Sequence, residues 1–247
     1  MTPEPTGTGR PYAGRRTPEA EAGAGAKTGA GAEPDGRSWA RRPESWFPPL
    51  LFTAGLAALA YGLWHHTGIA RIVVALYLLW VLAELRITFR GDPGETGGAD
   101  RGSMPLYGMA RGLVVATALF VPDGWPGRPP AVTALLVAVF AGGVALRLTA
   151  IWQLGRFYSH KVRTLSDHRI VRTGPYRFVR HPAYSGMILA HLGFTGLFLN
   201  PASAAVTLFL LVPAVMHRIR VEERTLMRLD GYPAYAHGRK RLIPAVW

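Results

Sequence analysis

Six apolar stretches, residues 46–64, 72–85, 107–121, 131–152, 183–199 and 201–216, restrict this chain more than any other feature. About 20 apolar residues cross a hydrocarbon core, with a range near 17–25. Inside that core a segment must satisfy its own backbone polar groups, so spans of this kind are helices. The expected fold is all-α: a polytopic integral membrane protein with about five to six transmembrane helices. Stretches 46–64 and 131–152 reach full length, whereas 72–85 needs its flanks. Stretch 107–121 is short and carries Arg111. Arg147 lies about a turn from the end of its span, from where a long cationic side chain can snorkel to the interface. The last two stretches are separated only by Asn200 and read as a tight helical hairpin.

The charge pattern supports this reading. The chain is 49% hydrophobic and carries a formal charge of +13. Together these describe a membrane protein with basic loops, and they argue against a nucleic-acid partner. Residues 1–45 hold seven Arg/Lys and six Asp/Glu in a Gly-, Ala- and Pro-rich background. Such an arm buries too little apolar surface to offset its ordering entropy and is expected to be disordered. It does not read as a signal peptide, because its first apolar run starts some 45 residues in and it carries acids as well as bases. Residues 156–182 carry seven Arg/Lys and one acid, and the tail from His217 carries seven and three. If these face the cytoplasm, the intervening turns are nearly uncharged, as the positive-inside rule requires. The expectation is a multi-pass protein of a bacterial cytoplasmic membrane with both termini cytoplasmic. The two basic segments flank one hairpin, so they share a membrane face and can meet. Three regions follow: the arm at 1–45, the first membrane helices at 46–152 and a C-terminal region at 153–247.

Cysteine is absent, which excludes disulfides, thiolate metal sites and a cysteine nucleophile. No His or carboxylate cluster has metal-ligand spacing, and no metal is expected. Glu84, near the end of the second span, either pairs locally or sits at the interface. An acid at membrane depth is a functional candidate by default. His191, within the fifth span, can equally line a substrate path or hydrogen-bond across the hairpin.

The C-terminal region reads LGRFYSHKVRTLSDHRIVRTGPYRFVRHPAYSG, then the hairpin, then HRIRVEERTLMRLDGYPAYAHGRKRLIP. The ordered set DHRIVRTGPY, RHPAYSG, the paired Glu222-Glu223 and GYPAY…RLIP resembles the isoprenylcysteine carboxyl methyltransferase family and its phospholipid methyltransferase relatives. The likeness covers about the last 100 residues. Upstream of residue 150 only the pattern of spans agrees. Asp230 stands where family members commonly have an aromatic residue before the tail glycine.

The resemblance implies a cytosolic pocket for S-adenosylmethionine (SAM), covered by the hairpin and tail, and a lipid-side entrance for a greasy acceptor. It implies cofactor contacts at Lys161, His168, Arg169, Ile170, Val171, Tyr176, His181, Pro182, Ala183, Tyr184 and Glu222, with Arg218 facing the acceptor's carboxylate. Lys161 occupies a position where family members can carry an uncharged amide. The residue types suit the chemistry. His181 and Arg169 can hold the cofactor's carboxylate. Glu222 can accept from its ammonium or ribose hydroxyls, and Tyr176 and Tyr184 offer aromatic faces to adenine and sulfonium. Pro175 and Pro182 keep the strip extended and turned. A carboxylate acceptor is already ionised, so positioning and desolvation replace a general base. An amine acceptor would need one, and Glu222 or Glu223 would then serve.

The reading is therefore a SAM-dependent methyltransferase that O-methylates a prenylcysteine-like or other lipophilic carboxylate, with Arg218 and Glu222 as candidate catalytic residues. A phospholipid amine or thiol acceptor is an open alternative, and an NADPH-dependent sterol-reductase-like enzyme is a further one. Arg218 and Glu222 lie four apart on a predicted helix, which also permits a simple ion pair worth about 0.2–0.5 kcal/mol. Glu223 and Arg224 point elsewhere and are expected to be solvated. Tyr232 and Tyr235 are expected to pack or sit at the interface. Arg177 and Arg180 are assigned to topology or lipid contact.

Overall fold

The structure is a computed structural model that describes residues 47–88, 102–155, 158, 170–244 and 247. The N-terminal arm lies outside them. The helices are α1 (Phe47–His65), α2 (Gly68–Thr88), α3 (Ser103–Phe120), α4 (Pro130–Leu154), α5 (Pro182–Leu197), α6 (Pro201–Val206), α7 (Val212–Leu226) and α8 (Tyr232–His237). A π-helical turn at Thr207–Leu211 joins α6 to α7. The described residues hold no strand, only an isolated bridge between Val179 and Lys240. The all-helical expectation is therefore met.

Among the described residues four helices are long and apolar enough to cross a membrane: Gly68–Leu85, Ser103–Phe120, Pro130–Leu154 and Pro201–Leu226. Their outward faces are apolar. Leu79 of α2, Leu135 of α4 and Phe209 of the π turn are 61%, 62% and 80% exposed. A row of this kind is at home only in lipid, and the chain is an integral membrane protein.

The α4–α5 pair forms the centre of the bundle, and glycine makes it possible. A Cβ at Gly143 would lie 2.3 Å from the Ala190 nitrogen, one at Gly186 2.6 Å from the Arg147 nitrogen, and one at Gly193 2.5 Å from the Phe140 nitrogen. The two helices therefore touch backbone to backbone along the stripe Gly186, Ala190, Gly193. Small residues in such rows let membrane helices approach closely, where lipid provides no hydrophobic drive.

From α5 the chain turns at 198–200. The Asn200 side chain accepts from the Ser203 N–H at 2.8 Å and donates to Thr117 O at 3.1 Å, fixing the turn against α3. The returning helix is interrupted at Thr207–Leu211, where the Val212 N–H bonds to Thr207 O, five residues back. Pro213 follows and has no N–H to give, so the wider turn absorbs the break. Thr207 Oγ1 meets Thr195 Oγ1 of α5 at 2.8 Å across the hairpin.

The ends sort into two groups. At one, Gly124 N bonds to Leu199 O at 2.6 Å and Arg128 reaches both Asp123 and Gly196 O. At the other, the start of α3, the end of α4, the strip before α5 and the tail gather around the end of α7. The two basic segments meet there: Arg180 N–H bonds to Lys240 O at 2.8 Å and His181 N–H to Arg241 O at 2.9 Å.

Arg147 does not snorkel. It is 1% exposed, and its guanidinium pairs with Glu84 of α2, the Nη2–Oε2 distance being 3.0 Å. It also donates to Ala183 O at 3.3 Å and Tyr158 Oη at 3.2 Å. Glu84 accepts from Trp80 Nε1 at 2.6 Å and meets Arg111 at 3.4 Å. The acid expected to pair locally thus ties α2, α3 and α4 together. A carboxylate on α2 satisfies Arg147 in place of the interface. His191 bonds across to α2, with Nε2 3.0 Å from Tyr77 Oη and Nδ1 2.8 Å from Met187 O.

Candidate active site

The strip leading into α5 is extended and turned, as its prolines require. Residues 170–172 are irregular, and Gly174–Arg177 makes one 3-10 turn with Pro175 in its first turn. Gly174 sits at φ +57°, a left-handed value suited to glycine, and a Cβ there would meet the Gln153 side chain at 2.7 Å. Tyr176 is buried beneath the turn and donates to Ala150 O of α4 at 3.3 Å. Burial raises its phenol well above the ordinary tyrosine range, and does the same to Tyr158. Both stay protonated at neutral pH, Tyr176 as a donor to Ala150 O. Pro182 opens α5, where a missing N–H costs nothing.

Three candidate residues meet across the hairpin. The Tyr184 hydroxyl donates to Glu222 Oε2 at 2.9 Å and accepts from Arg218 Nε at 3.3 Å. Arg218 Nη1 donates to Ser103 Oγ, at the start of α3, at 2.7 Å. Arg218 is 2% exposed. Arg218 and Glu222 are thus linked through a third residue on the facing helix. Tyr107 of α3 packs edge-on to Tyr184, ring centroids 6.1 Å apart.

His181 lies one helical turn from Tyr184 and belongs to a second cluster. Its Nε2 is 3.2 Å from Glu223 Oε1. The same carboxylate meets Arg180 Nη1 at 2.7 Å and Arg241 Nε at 2.6 Å. Glu223 is 5% exposed, so the expectation that it is solvated is wrong. Arg224, next to it, is exposed as expected. Arg180 is likewise an ion-pair partner in place of a topological charge. The reason is tertiary: the strip and the tail wrap the end of α7 from two sides, so Glu223 is buried while its neighbour Glu222 is partly buried. Arg177 remains exposed, its guanidinium 4.5 Å from the Phe178 ring centroid.

The remaining candidates line the surroundings. Val171 and Ala183 pack with Ala150, Ile151 and Tyr176. Ile170 packs against Tyr232 and Tyr235 of α8. Tyr235 donates to Tyr176 O at 2.8 Å, holding the tail cap on the strip, and burial pushes its phenol up to about 12. The Tyr232 and Tyr107 hydroxyls are buried with no hydrogen-bond partner among the described residues. Burial first, then the Glu223 and Glu222 carboxylates, raise the Tyr232 phenol. Lys161, His168 and Arg169 lie outside the described residues.

Several members of these clusters escaped the motif reading: Ser103 and Tyr107 of α3, and the pairing of Glu223 with Arg180 and Arg241. The available signal was charge count. Isolated charges within apolar spans, and a second glutamate beside a candidate one, each require a partner.

Residues 134–228 match the family model of the isoprenylcysteine carboxyl methyltransferase (ICMT) family. A protein-S-isoprenylcysteine O-methyltransferase of Saccharomyces cerevisiae is 40% identical over 87 residues, covering 34% of this chain and 36% of that protein. Protein-S-isoprenylcysteine O-methyltransferase B of Arabidopsis thaliana is 34% identical over 108 residues, covering 42% and 55%. The aligned region thus spans about a third to a half of the length of these relatives. A solved structure of a eukaryotic intramembrane Ras methyltransferase, ICMT, aligns over 83% of this chain and 98% of that one, with 19% identity and a TM-score of 0.41.

Proposed function

We propose, for a chain whose residues 134–228 form an isoprenylcysteine carboxyl methyltransferase family segment, that it is a SAM-dependent membrane methyltransferase acting on the carboxylate of a prenylcysteine-like or other lipophilic acceptor. The observation that carries this reading is the part-buried Arg218–Tyr184–Glu222 relay inside the matched segment. It puts a cation for a carboxylate beside an acceptor for ammonium or hydroxyl groups.

The residues present fit SAM. Glu222 is only partly buried, and the buried Tyr232 hydroxyl, whose phenol burial and then the Glu223 and Glu222 carboxylates raise, has no hydrogen-bond partner among the described residues. Two polar groups of this kind, one of them unsatisfied and buried, suit a ligand with an ammonium and ribose hydroxyls. Tyr184 and Tyr176 would flank the cofactor, and the backbone of residues 181–183 would close it in. When bound, SAM supplies an electrophilic methyl carbon on a sulfonium. His181 is held by Glu223, so it would act through its remaining nitrogen or its backbone.

Arg218 would orient the acceptor carboxylate, with Ser103 and Tyr184 fixing the guanidinium plane. A planar fork held on two sides loses little freedom when it grips a carboxylate. The surrounding buried aromatic side chains exclude water, which strips the nucleophile of its hydration. Glu222 accepts from Tyr184, and no proton need move, because the acceptor is already ionised.

The test is methyl transfer by the purified full chain in lipid nanodiscs, using radiolabelled SAM and a farnesylated cysteine derivative. Base-labile radiolabel marks a methyl ester and supports the reading. Base-stable product would shift it to an amine or thiol acceptor, and binding of NADPH without SAM would overturn it.

A further inference from the structure

A cavity of about 270 Å³ lies between α1, α2 and α3, outside the family-matched segment. Its wall is apolar except at two side chains, Tyr77 and Arg111. Gly55 and Gly108 contribute bare backbone: a Cβ at either would meet nothing within 4 Å.

One face of α3 runs from the candidate active site to the cavity wall. Ser103, Tyr107 and Arg111 follow at i, i+4 and i+8 and so line a single stripe. Ser103 holds Arg218, Tyr107 abuts Tyr184, and Arg111 reaches the cavity wall. The rise from Ser103 to Arg111 is about 12 Å. Met104 and Pro105, beside Ser103, also line the cavity.

The charge there does not balance. Arg111 and Arg147 share one carboxylate, Glu84, and Arg111 holds it only at 3.4 Å. Its guanidinium otherwise lies over the Trp80 and Tyr107 rings, at 5.2 and 5.7 Å, with the Tyr77 hydroxyl as a further, neutral partner. Among the described residues of this cluster, two cations thus face one anion at membrane depth. An excess buried charge is costly unless something pairs it. A pure hydrocarbon tail would cover the guanidinium without pairing it.

We propose that this cavity receives the tail of the methyl acceptor, and that Arg111 selects tails carrying a second anionic group about 12 Å from the methylated carboxylate. The proposal rests on the methyltransferase reading for the word acceptor, but the site's ligand chemistry can be tested without SAM.

The experiment is calorimetry on the full chain in nanodiscs, with empty nanodiscs as blank, the acids titrated without SAM and SAM titrated separately. The probes are a twelve-carbon α,ω-dicarboxylic acid and the monocarboxylic acid of equal length. The wild type is expected to bind the diacid at least about tenfold more tightly, as a buried charged pair allows. Arg111→Leu should bring the two acids to parity, and Arg111→Lys should retain part of the preference. Gly108→Phe, at a position where a Cβ meets nothing within 4 Å, puts a ring on the cavity wall and should weaken both acids by about tenfold or more while SAM affinity holds. Equal wild-type affinities, a preference that survives Arg111→Leu, or a silent Gly108→Phe would each overturn the assignment. Diacid preference without any SAM binding would sink the methyltransferase reading and leave the cavity's ligand class standing.

Discussion

The Tyr184 hydroxyl stands between Arg218 and Glu222, accepting from one at 3.3 Å and donating to the other at 2.9 Å. Two residues of α7 are thereby held by one residue of α5. Hydrogen bonds to charged groups are worth about 1.5–3 kcal/mol. Tyr184→Phe should therefore lower kcat/KM for methyl transfer by roughly tenfold to a hundredfold. Steady-state kinetics with labelled SAM reads this, and an unchanged kcat/KM would remove Tyr184 from the site.

Glu222 and Glu223 are neighbours with different partners, so their variants should separate. Glu223→Gln leaves Arg180, Arg241 and His181 around a neutral amide. Breaking a buried pair costs about 3–5 kcal/mol, and the lower end is expected because Arg241 is a third exposed. Thermal unfolding in detergent should show a clear drop for Glu223→Gln. Glu222→Gln should keep the wild-type midpoint and instead weaken SAM binding by calorimetry. Equal loss of stability in both would merge the two roles.

The intramembrane cluster should behave as a pair with a surplus. Glu84→Leu strands both Arg147 and Arg111, whereas Arg147→Leu leaves Glu84 with Arg111 and Trp80. Glu84→Leu is expected to be the more damaging single change, by about 3–5 kcal/mol. Glu84→Leu combined with Arg147→Leu should be more stable than Glu84→Leu alone. Denaturant midpoints of the three variants check the order, and a simple sum of losses would contradict it.

Glycine contacts offer a sharp contrast within one helix. Gly143 faces Ala190 at a distance no Cβ tolerates, while a Cβ at Gly142 meets nothing within 4 Å. Gly143→Ala must push α4 and α5 apart and should cost about 3 kcal/mol, the upper end for overpacking. Gly142→Ala should be neutral or gain up to about 1 kcal/mol from helix propensity. Comparable thermal midpoints for both would refute backbone-to-backbone packing of α4 on α5.

The positions of the apolar helices were legible because hydrocarbon imposes a length and an internal hydrogen-bond rule on any segment that crosses it. Stretch 131–152 became Pro130–Leu154, and 183–199 became Pro182–Leu197. The meeting of the two basic segments was legible too, since a hairpin returns its ends to one face. The same logic brought Tyr184 to Arg218 and Glu222.

What the order of residues determined, then, was which segments are helices, where they turn and which ends share a face. These follow from local solvation and chain connectivity. The tertiary structure alone decided the partners of each buried charge: Arg147 with Glu84, Glu223 with Arg180 and Arg241, and Ser103 with Arg218. Such pairs are 18 to 115 residues apart. A charge in low dielectric must be matched, but which helix supplies the match depends on how backbones approach, and here glycines of α4 and α5 set that approach.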